Sequence, residues 1–255
     1  MEDYILDYID QNDFERHVAL TIKEYNETLK GMDLKRFNKN LIDPIKLLFD
    51  KNVFNKSYEE IIKFEIQRQK DKSNNNVIGY FHQNIFKYFK NCVVPNEGWD
   101  IIYSSQNDVT YYVEMKNKHN TMNSSSSAKT YMKFQNHLLN ADDKETSICA
   151  LVEIIASKSQ DIEWVITLDK KKQLPNKRLR RISIDKFYEI VTGDNEAFKK
   201  LCVQLPITIE KIIKEQDELK TDEDTVISEL KEMDTDILLA LYKLTFKTYE
   251  GFSWD

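Results

Sequence analysis

Two carboxylates and a lysine stand where the ends of two short β-prone segments would meet. Asp100 opens the segment that continues through Tyr103, and Glu114 and Lys116 close the run that begins at Val109. Side chains alternate along a strand, so Glu114 and Lys116 project from the same face. The separation of 14 residues between Asp100 and Glu114 lets a hairpin bring the strand ends back together. We therefore expect two carboxylates and one ammonium group to converge on one spot.

These groups are the set that phosphodiester hydrolysis requires. Mg²⁺ prefers oxygen ligands, keeps several waters and takes one or two carboxylates together with phosphate oxygens. Asp100 and Glu114 would supply the carboxylates, and the main-chain carbonyl of Met115 would add a further ligand. Lys116 would orient or deprotonate the attacking water. The alternative is an ordinary one, because Glu-x-Lys on a strand is commonly an exposed salt bridge.

The elements around the triad predict a mixed α/β sheet flanked by helices. A capping box at Ser57 and Glu60 begins a helix that the Ser-Asn-Asn-Asn stretch, 73–76, should interrupt. Residues 104–108 form the expected turn of the hairpin. A helix capped by Ser124 or Ser125 should follow and reach Asn140, and residues 148–156 read as a buried strand. The expected strand at 163–168 precedes a short last strand at 181–184.

Gly and Pro are scarce, five and four in the chain, so no flexible linker is evident. We expect a helical N-terminal region at 1–50, a catalytic core at 51–205 and a helical C-terminal region at 206–255. The three are expected to form one compact domain.

The charge distribution is uneven. The net charge of −6 by itself argues against a polyanionic partner. However, residues 169–181 hold seven basic side chains against one acid, whereas residues 210–236 hold eleven acids against four lysines. One face of the protein is therefore suited to bind a polyanion while another repels it.

The remaining composition favours an intracellular protein. The three cysteines are 57 and 53 residues apart, which excludes the familiar local zinc spacings and a disulfide framework. No apolar run approaches the roughly 18 residues that a membrane span requires. The acidic N-terminus lacks the layout of a signal peptide. A cytoplasmic location without membrane association is expected.

The pattern Asp100…Glu114-x-Lys116 resembles the signature of the PD-(D/E)xK nuclease superfamily, with Trp99 where the signature has proline. The sequence that flanks the triad is more specific than the triad itself. From about Leu41 to Pro206 the chain is similar to Type II restriction endonucleases that cut GGNCC or GGWCC sites. The stretches that carry this similarity are Arg68 to Asn76, Ile78 to Gln83, Val113 to Ser124, Ile182 to Tyr188 and Val191 to Gly193.

The resemblance implies a restriction-endonuclease-like fold and a Mg²⁺-dependent activity on double-stranded DNA. It implies that Asp100 and Glu114 bind the metal, that Lys116 serves the attacking water, and that Glu65 on the preceding helix completes the catalytic site. Palindromic sites are usually met by two-fold symmetric dimers, so a homodimer is expected. A cognate DNA methyltransferase that acts on the same site is implied by the resemblance alone.

The candidate DNA-binding residues lie in three groups. Donors for phosphates or base edges are offered by helical residues that precede the hairpin, by the polar segment 117–127 that follows the catalytic strand, and by the basic stretch at 169–181. A plain polar loop is the alternative for 117–127, and His82 beside Tyr80 and Phe81 suits a half-buried residue better than a catalyst. The candidates are Arg68, Lys72, Gln83, Asn117, Lys118, His119, Asn120, Asn123, Ser124, Lys177 and Arg178.

Two other functions stay open at this stage. One is a nuclease of the same superfamily that acts in repair or as a resolvase. The other is a catalytically silent DNA-binding protein, which the intact Asp100, Glu114 and Lys116 disfavour because a pure binder would not require all three.

Overall fold

The computed structural model describes residues 4–28, 30–119, 122–168, 170–215 and 222–249. The chain forms two compact units, one of residues 1–21 with 78–215 and the other of 22–77 with 216–255. The predicted core, 51–205, therefore draws on both units. No helix in these described ranges is both long and apolar enough to span a membrane. The helices are α1 (Gln11–Asn26), α2 (Leu34–Asn38), α3 (Pro44–Val53), α4 (Tyr58–Asn84), α5 (Ser124–Asn140), α6 (Ile184–Thr192), α7 (Ala197–Lys214), α8 (Val226–Met233) and α9 (Ile237–Phe246).

A six-stranded mixed sheet in the order β1-β2-β3-β4-β8-β5 organises the first unit. Strands β3, β4 and β8 are parallel, whereas β1, β2 and β5 join by antiparallel pairing. Strands β6 and β7 form a separate two-stranded sheet. The strands are β1 (Cys92–Val93), β2 (Ile101–Ser104), β3 (Thr110–Lys118), β4 (Ser147–Ile155), β5 (Asp161–Glu163), β6 (Thr167–Leu168), β7 (Lys171–Lys172) and β8 (Leu179–Ser183).

Local sequence explains the two strands at the centre of the sheet. β3 is rich in aromatic and β-branched residues at its start, and the turn before it contains Asp108 with a φ of 57°, a conformation that Asp tolerates. β4 pairs in parallel on both sides and is a nearly continuous apolar run, as a strand covered on both faces requires. The predicted hairpin and the predicted buried strand are both confirmed.

Helix α5 covers the face of the sheet that carries Glu114. Registered neighbours share a face, and Glu114 is the β3 partner of Leu151. Leu151 packs in the cluster that α5 completes, so the helix lies over the same face as the predicted catalytic side chains. The buried members of this cluster are Tyr131, Phe134, Leu138, Cys149, Leu151, Trp164 and Leu179.

An aromatic cluster joins α6 to the short 3-10 helix at Ile85–Tyr88. The Phe86 ring lies 5.1 Å from the Phe187 ring and 5.2 Å from the Tyr188 ring, measured between centroids. All three side chains are fully buried. Helix α6 ends at Thr192 and is followed by Gly193, whose φ of 79° is the left-handed conformation that terminates helices.

The second unit is helical and has a core of its own. This core is enclosed by α2, α3, α8, α9 and the first turns of α4. Asp side chains cap three of these helices by accepting hydrogen bonds from main-chain N–H groups. The buried core residues are Met32, Leu34, Phe37, Ile42, Leu47, Ile61, Ile62, Ile66, Val226, Leu230, Ile237, Ala240 and Leu241.

The predicted fold class is confirmed, with its mixed sheet, flanking helices and helical terminal regions, but three local predictions are wrong. The expected break at 73–76 is absent because Ser73 and Asn75 donate to carbonyl groups four residues earlier, which satisfies their side chains within α4. The cap of α5 is Asn123, which accepts from the N–H of Ser126 at 2.8 Å. The strand expected at 163–168 is divided, since β5 ends at Glu163 and Thr167–Leu168 form β6 of the separate two-stranded sheet.

Candidate active site

The hairpin register brings Asp100 to the middle of β3. Ile101 pairs with Val113, and the N–H of Asp100 donates to the carbonyl of Val113 at 3.0 Å. The Asp100 carboxylate accepts the N–H of Met115 through Oδ2 at 2.7 Å. The side chain is thus fixed by the strand on which Glu114 and Lys116 lie, and the three predicted residues come together.

Glu114 lies between two ammonium groups. The Lys116 Nζ is 3.7 Å from Oε2 of Glu114. The other oxygen, Oε1, accepts a hydrogen bond from Nζ of Lys133, which reaches it from α5. Glu114 is 16% exposed, so both ion pairs are only partly screened by solvent.

Burial raises the pKa of Asp100 above its usual value. The hydrogen bond from the Met115 N–H opposes this rise, the charge of Glu114 adds to it, and the charges of Lys116 and Lys133 lower it. A desolvated carboxylate beside a second carboxylate is an unfavourable arrangement for two negative charges. Cations close to both groups relieve it, which explains the two lysines.

The donor set fits Mg²⁺ rather than zinc. In the part of the chain that the structure describes, no group of three or more His, Cys, Asp or Glu side chains is arranged to hold a metal ion. Mg²⁺ does not require such a cage, since it takes one or two carboxylates and fills its remaining positions with water and phosphate oxygens. Asp100 and Glu114 offer that pair, and the two ammonium groups on Glu114 show that the position attracts cations.

An ion pair with a buried carboxylate lies on the same face, one strand further along the sheet. Glu153 is the β4 partner of Lys116 and is 2% exposed. Arg181 on β8 donates to both oxygens of Glu153, through Nε at 3.0 Å and Nη2 at 2.5 Å. Nη2 also lies 2.6 Å from Nδ1 of His119, just beyond the end of β3. The pair therefore ties the start of the predicted DNA-binding segment to the sheet.

The other predicted DNA-binding residues of this segment have varied surroundings. Asn117 lies over Gly79, where a Cβ atom would come within 3.3 Å of the Asn117 side chain. Lys118 and Ser124 are exposed, and Asn123 is the cap of α5. Asn120 lies outside the described residues. Their roles in DNA binding stay predictions.

Two further candidates in the first unit make contacts of their own. Gln83 donates to the main-chain carbonyl of Asp100 at 3.3 Å and so steadies the start of the hairpin. The Arg178 guanidinium donates to the carbonyl of Lys144, whereas Lys177 is exposed.

In the second unit, Glu65 is 8% exposed and is held by Arg68 and Gln69. Burial raises its pKa, but the hydrogen bonds from Arg68 and Gln69 outweigh burial and hold the pKa below its usual value. Lys72 is exposed. The catalytic role of Glu65 and the DNA contacts of Arg68 and Lys72 stay predictions.

Sequence reasoning missed Lys133 and the Glu153–Arg181 pair. One signal for Lys133 was available, because the spacing of four residues places it beside His137 at the border of the face of α5 that packs inward. A lysine at such a position needs an anionic partner. The interruption of an apolar strand by Glu153 was the corresponding signal for the ion pair.

The fold and this hairpin site define a class, and sequence comparison identifies it. The family model described as Eco47II restriction endonuclease matches residues 6–214, and the chain belongs to this family of Type II restriction endonucleases. The chain is similar to the Type II restriction enzyme Sau96I of Staphylococcus aureus, with 31% identity over 217 residues that cover 82% of each chain. It is also similar to the Type II restriction enzyme Eco47II of Escherichia coli, with 28% identity over 83% of this chain and 90% of that enzyme. The predicted family is confirmed.

Proposed function

We propose that this restriction endonuclease hydrolyses both strands of DNA at a short GGNCC-like near-palindrome with Mg²⁺ bound at Asp100 and Glu114. The observation that carries the proposal is the convergence of Asp100, Glu114 and Lys116 at one hairpin. The resemblance of the flanking stretches to enzymes that cut GGNCC or GGWCC supports the recognition site. Family membership supports the endonuclease activity.

Each residue of the triad has a distinct role. Asp100 and Glu114 would hold the ion, and the Met115 carbonyl would be a further ligand. The N–H of the same Met115 fixes the Asp100 carboxylate, so one peptide segment orients the first ligand and supplies another. When bound, Mg²⁺ stabilises charge on the phosphate and lowers the pKa of a bound water. Lys116, next to Glu114, orients that water and adds positive charge near the reacting phosphate.

DNA binding is proposed for the segment that follows β3 and for the basic stretch. Lys118 and Ser124 are exposed donors, and α5 begins at Ser124, so its free N–H groups can meet a phosphate. His119 is steadied by Arg181 and can face a phosphate or a base edge. Lys177 suits backbone contact. A homodimer would match the two halves of the near-palindrome.

The test is a plasmid cleavage assay with Mg²⁺, with and without chelator, followed by sequencing of the ends. We expect discrete fragments with ends at GGNCC-type sites, and we expect them only when Mg²⁺ is available and no chelator is present. Asp100→Asn, Glu114→Gln and Lys116→Ala should each lower the cleavage rate by about 10²-fold or more, because each removes a metal ligand or the charge beside the water. Glu163→Gln, the same acid-to-amide change on the edge strand β5, is the matched control and should cut normally.

Other outcomes would contradict the proposal in distinct ways. Nicks that depend on DNA structure rather than sequence would indicate a repair or resolvase nuclease. A retained gel shift without cleavage would indicate a catalytically silent DNA-binding protein. Unchanged cleavage by Glu114→Gln or Lys116→Ala would show that the site is assigned wrongly.

A further inference from the structure

Lys133 is a second lysine in the site, and its contacts are those of a charged group rather than of a helix surface residue. Its Nζ donates to Oε1 of Glu114 and to the main-chain carbonyl of Gly98. The same ammonium lies 4.0 Å from the centroid of the Trp99 ring, within the range of a cation–π interaction. The side chain is 34% exposed, so it retains a path to solvent and to a ligand.

The Trp99 ring that supports Lys133 is itself held in place. Its centroid lies 5.3 Å from that of Tyr112, 5.5 Å from that of Phe134 and 5.3 Å from that of His137. Tyr112 is on β3, and the other two are on α5. The residue before Asp100 is therefore a fixed platform for a cation that touches Glu114.

Both oxygens of the Glu114 carboxylate face an ammonium group, Oε2 towards Lys116 and Oε1 towards Lys133. A metal ligand must give at least one oxygen to the ion, at about 2.0–2.1 Å for Mg²⁺. Two cations cannot share one oxygen at such distances without strong repulsion. Lys133 makes the closer contact of the two lysines, and its flexible four-carbon stem allows its charge to move.

We propose that, in the DNA-free protein, the Lys133 ammonium pairs with the Glu114 carboxylate and competes there with the metal ion. When metal and DNA bind together, the ammonium moves to a phosphate oxygen. The inference rests on the proposed function of this site. Lysine is a suitable group for this exchange, because its ammonium binds carboxylate and phosphate oxygens alike as a point charge. Lys133 thereby suppresses metal binding until DNA offers it an alternative anionic partner.

The first test measures Mn²⁺ binding to the DNA-free protein, with free Mn²⁺ followed by electron paramagnetic resonance. Lys133→Met keeps the stem over Trp99 but removes the charge, so its affinity for Mn²⁺ should rise by about fivefold or more. Lys133→Arg keeps the charge and should stay close to wild type. Lys129→Met, an exposed lysine earlier on α5, is the matched control and should leave the affinity unchanged.

The second test is single-turnover cleavage at saturating metal. Lys133→Met should cut about tenfold or more slowly, because the phosphate loses a cation that the metal does not replace. Tighter metal binding together with slower cleavage is the signature of the exchange, and a merely structural lysine would not produce it.

Mn²⁺ affinity of Lys133→Met equal to or weaker than that of wild type would overturn the inference, as would equal affinities for Lys133→Met and Lys133→Arg. An unchanged cleavage rate for Lys133→Met would overturn the phosphate contact. Failure of the proposed function is distinguishable, because the wild-type protein would then neither cut DNA with Mg²⁺ nor bind Mn²⁺ in a way that Glu114→Gln abolishes.

Discussion

The ion pair between the buried carboxylate of Glu153 and the partly exposed Arg181 allows a sharp test of the electrostatics of the sheet. The Glu153 carboxylate is 2% exposed, and in Arg181→Met it loses two charge-assisted hydrogen bonds, at 3.0 and 2.5 Å. Nδ1 of His119 remains 3.5 Å from Oε2 of Glu153. Removing one partner of a buried pair typically costs about 3–5 kcal/mol of unfolding free energy, because an uncompensated charge stays behind.

Arg180 is the matched control, since it is the adjacent residue on the same strand. It also pairs with an acid, with Nε 2.8 Å from Oδ1 of Asp161. Asp161 is 38% exposed, so water replaces much of what Arg180→Met removes. We expect this change to cost about 0–1 kcal/mol. The two neighbouring substitutions therefore differ in the burial of the acid that each leaves behind.

The assay is equilibrium urea unfolding followed by tryptophan fluorescence. In a Trp254→Phe background the remaining tryptophans are Trp99 and Trp164, both in the first unit, so the signal reports the unit that contains the pair. With an m value of about 2 kcal/mol/M, the expected loss for Arg181→Met lowers the urea midpoint by about 1.5–2.5 M.

A double variant distinguishes a lost charge partner from lost packing. Glu153→Leu combined with Arg181→Met removes both charges and should return to within about 1 kcal/mol of the parent, since replacing a buried pair by apolar groups is often neutral. If Arg181→Met costs no more than Arg180→Met, the burial of the remaining acid does not set the loss of stability. If the double variant is no more stable than Arg181→Met, the loss does not come from an unpaired charge on Glu153.

The remaining predictions concern acid stability and a helix end. Burial, and then the charge of His17, lowers the pKa of His82 to about 4, and its Nδ1 has no hydrogen-bond partner in the described residues. Since the unfolded state protonates first, stability is lost as the pH falls from about 6.5 to 4, by up to about 3 kcal/mol. His82→Phe should reduce this loss in urea midpoints measured across that range, and parallel pH curves for both proteins would contradict the assignment. Gly193→Ala should lower the free energy of unfolding by about 1 kcal/mol, because φ is 79° at this position. A Cβ there would meet no atom within 4 Å, so the loss reports backbone strain alone. An unchanged thermal midpoint would contradict this prediction.

Much of the site followed from the sequence because its members are close along the chain. Strand alternation and one tight turn are sufficient to bring Asp100 to Glu114 and Lys116, and both are local properties. The capping box of α4 is equally local, with the Ser57 N–H donating to Glu60 and the Glu60 N–H donating to the Ser57 hydroxyl. The family resemblance depended on the residues that flank this hairpin.

Predictions from local composition were wrong where a side chain forms a hydrogen bond that composition does not indicate. The stretch at 73–76 has turn-forming composition, yet Ser73 and Asn75 hydrogen-bond back to the preceding helical turn and the helix continues. Asn123, a candidate for DNA contact, is also the side chain that starts α5. In both places, short polar side chains suited several roles, and the surrounding backbone selected among them.

The sequence by itself determined the hairpin and its triad, because the information lies in the period of a strand and the length of a turn. Tertiary structure alone decided what surrounds Glu114. Lys133 comes from a helix 19 residues further along the chain, and Arg181 reaches Glu153 across 28 residues. Such contacts depend on which helix covers which face of the sheet and on the order of its strands, and no local spacing encodes either of them.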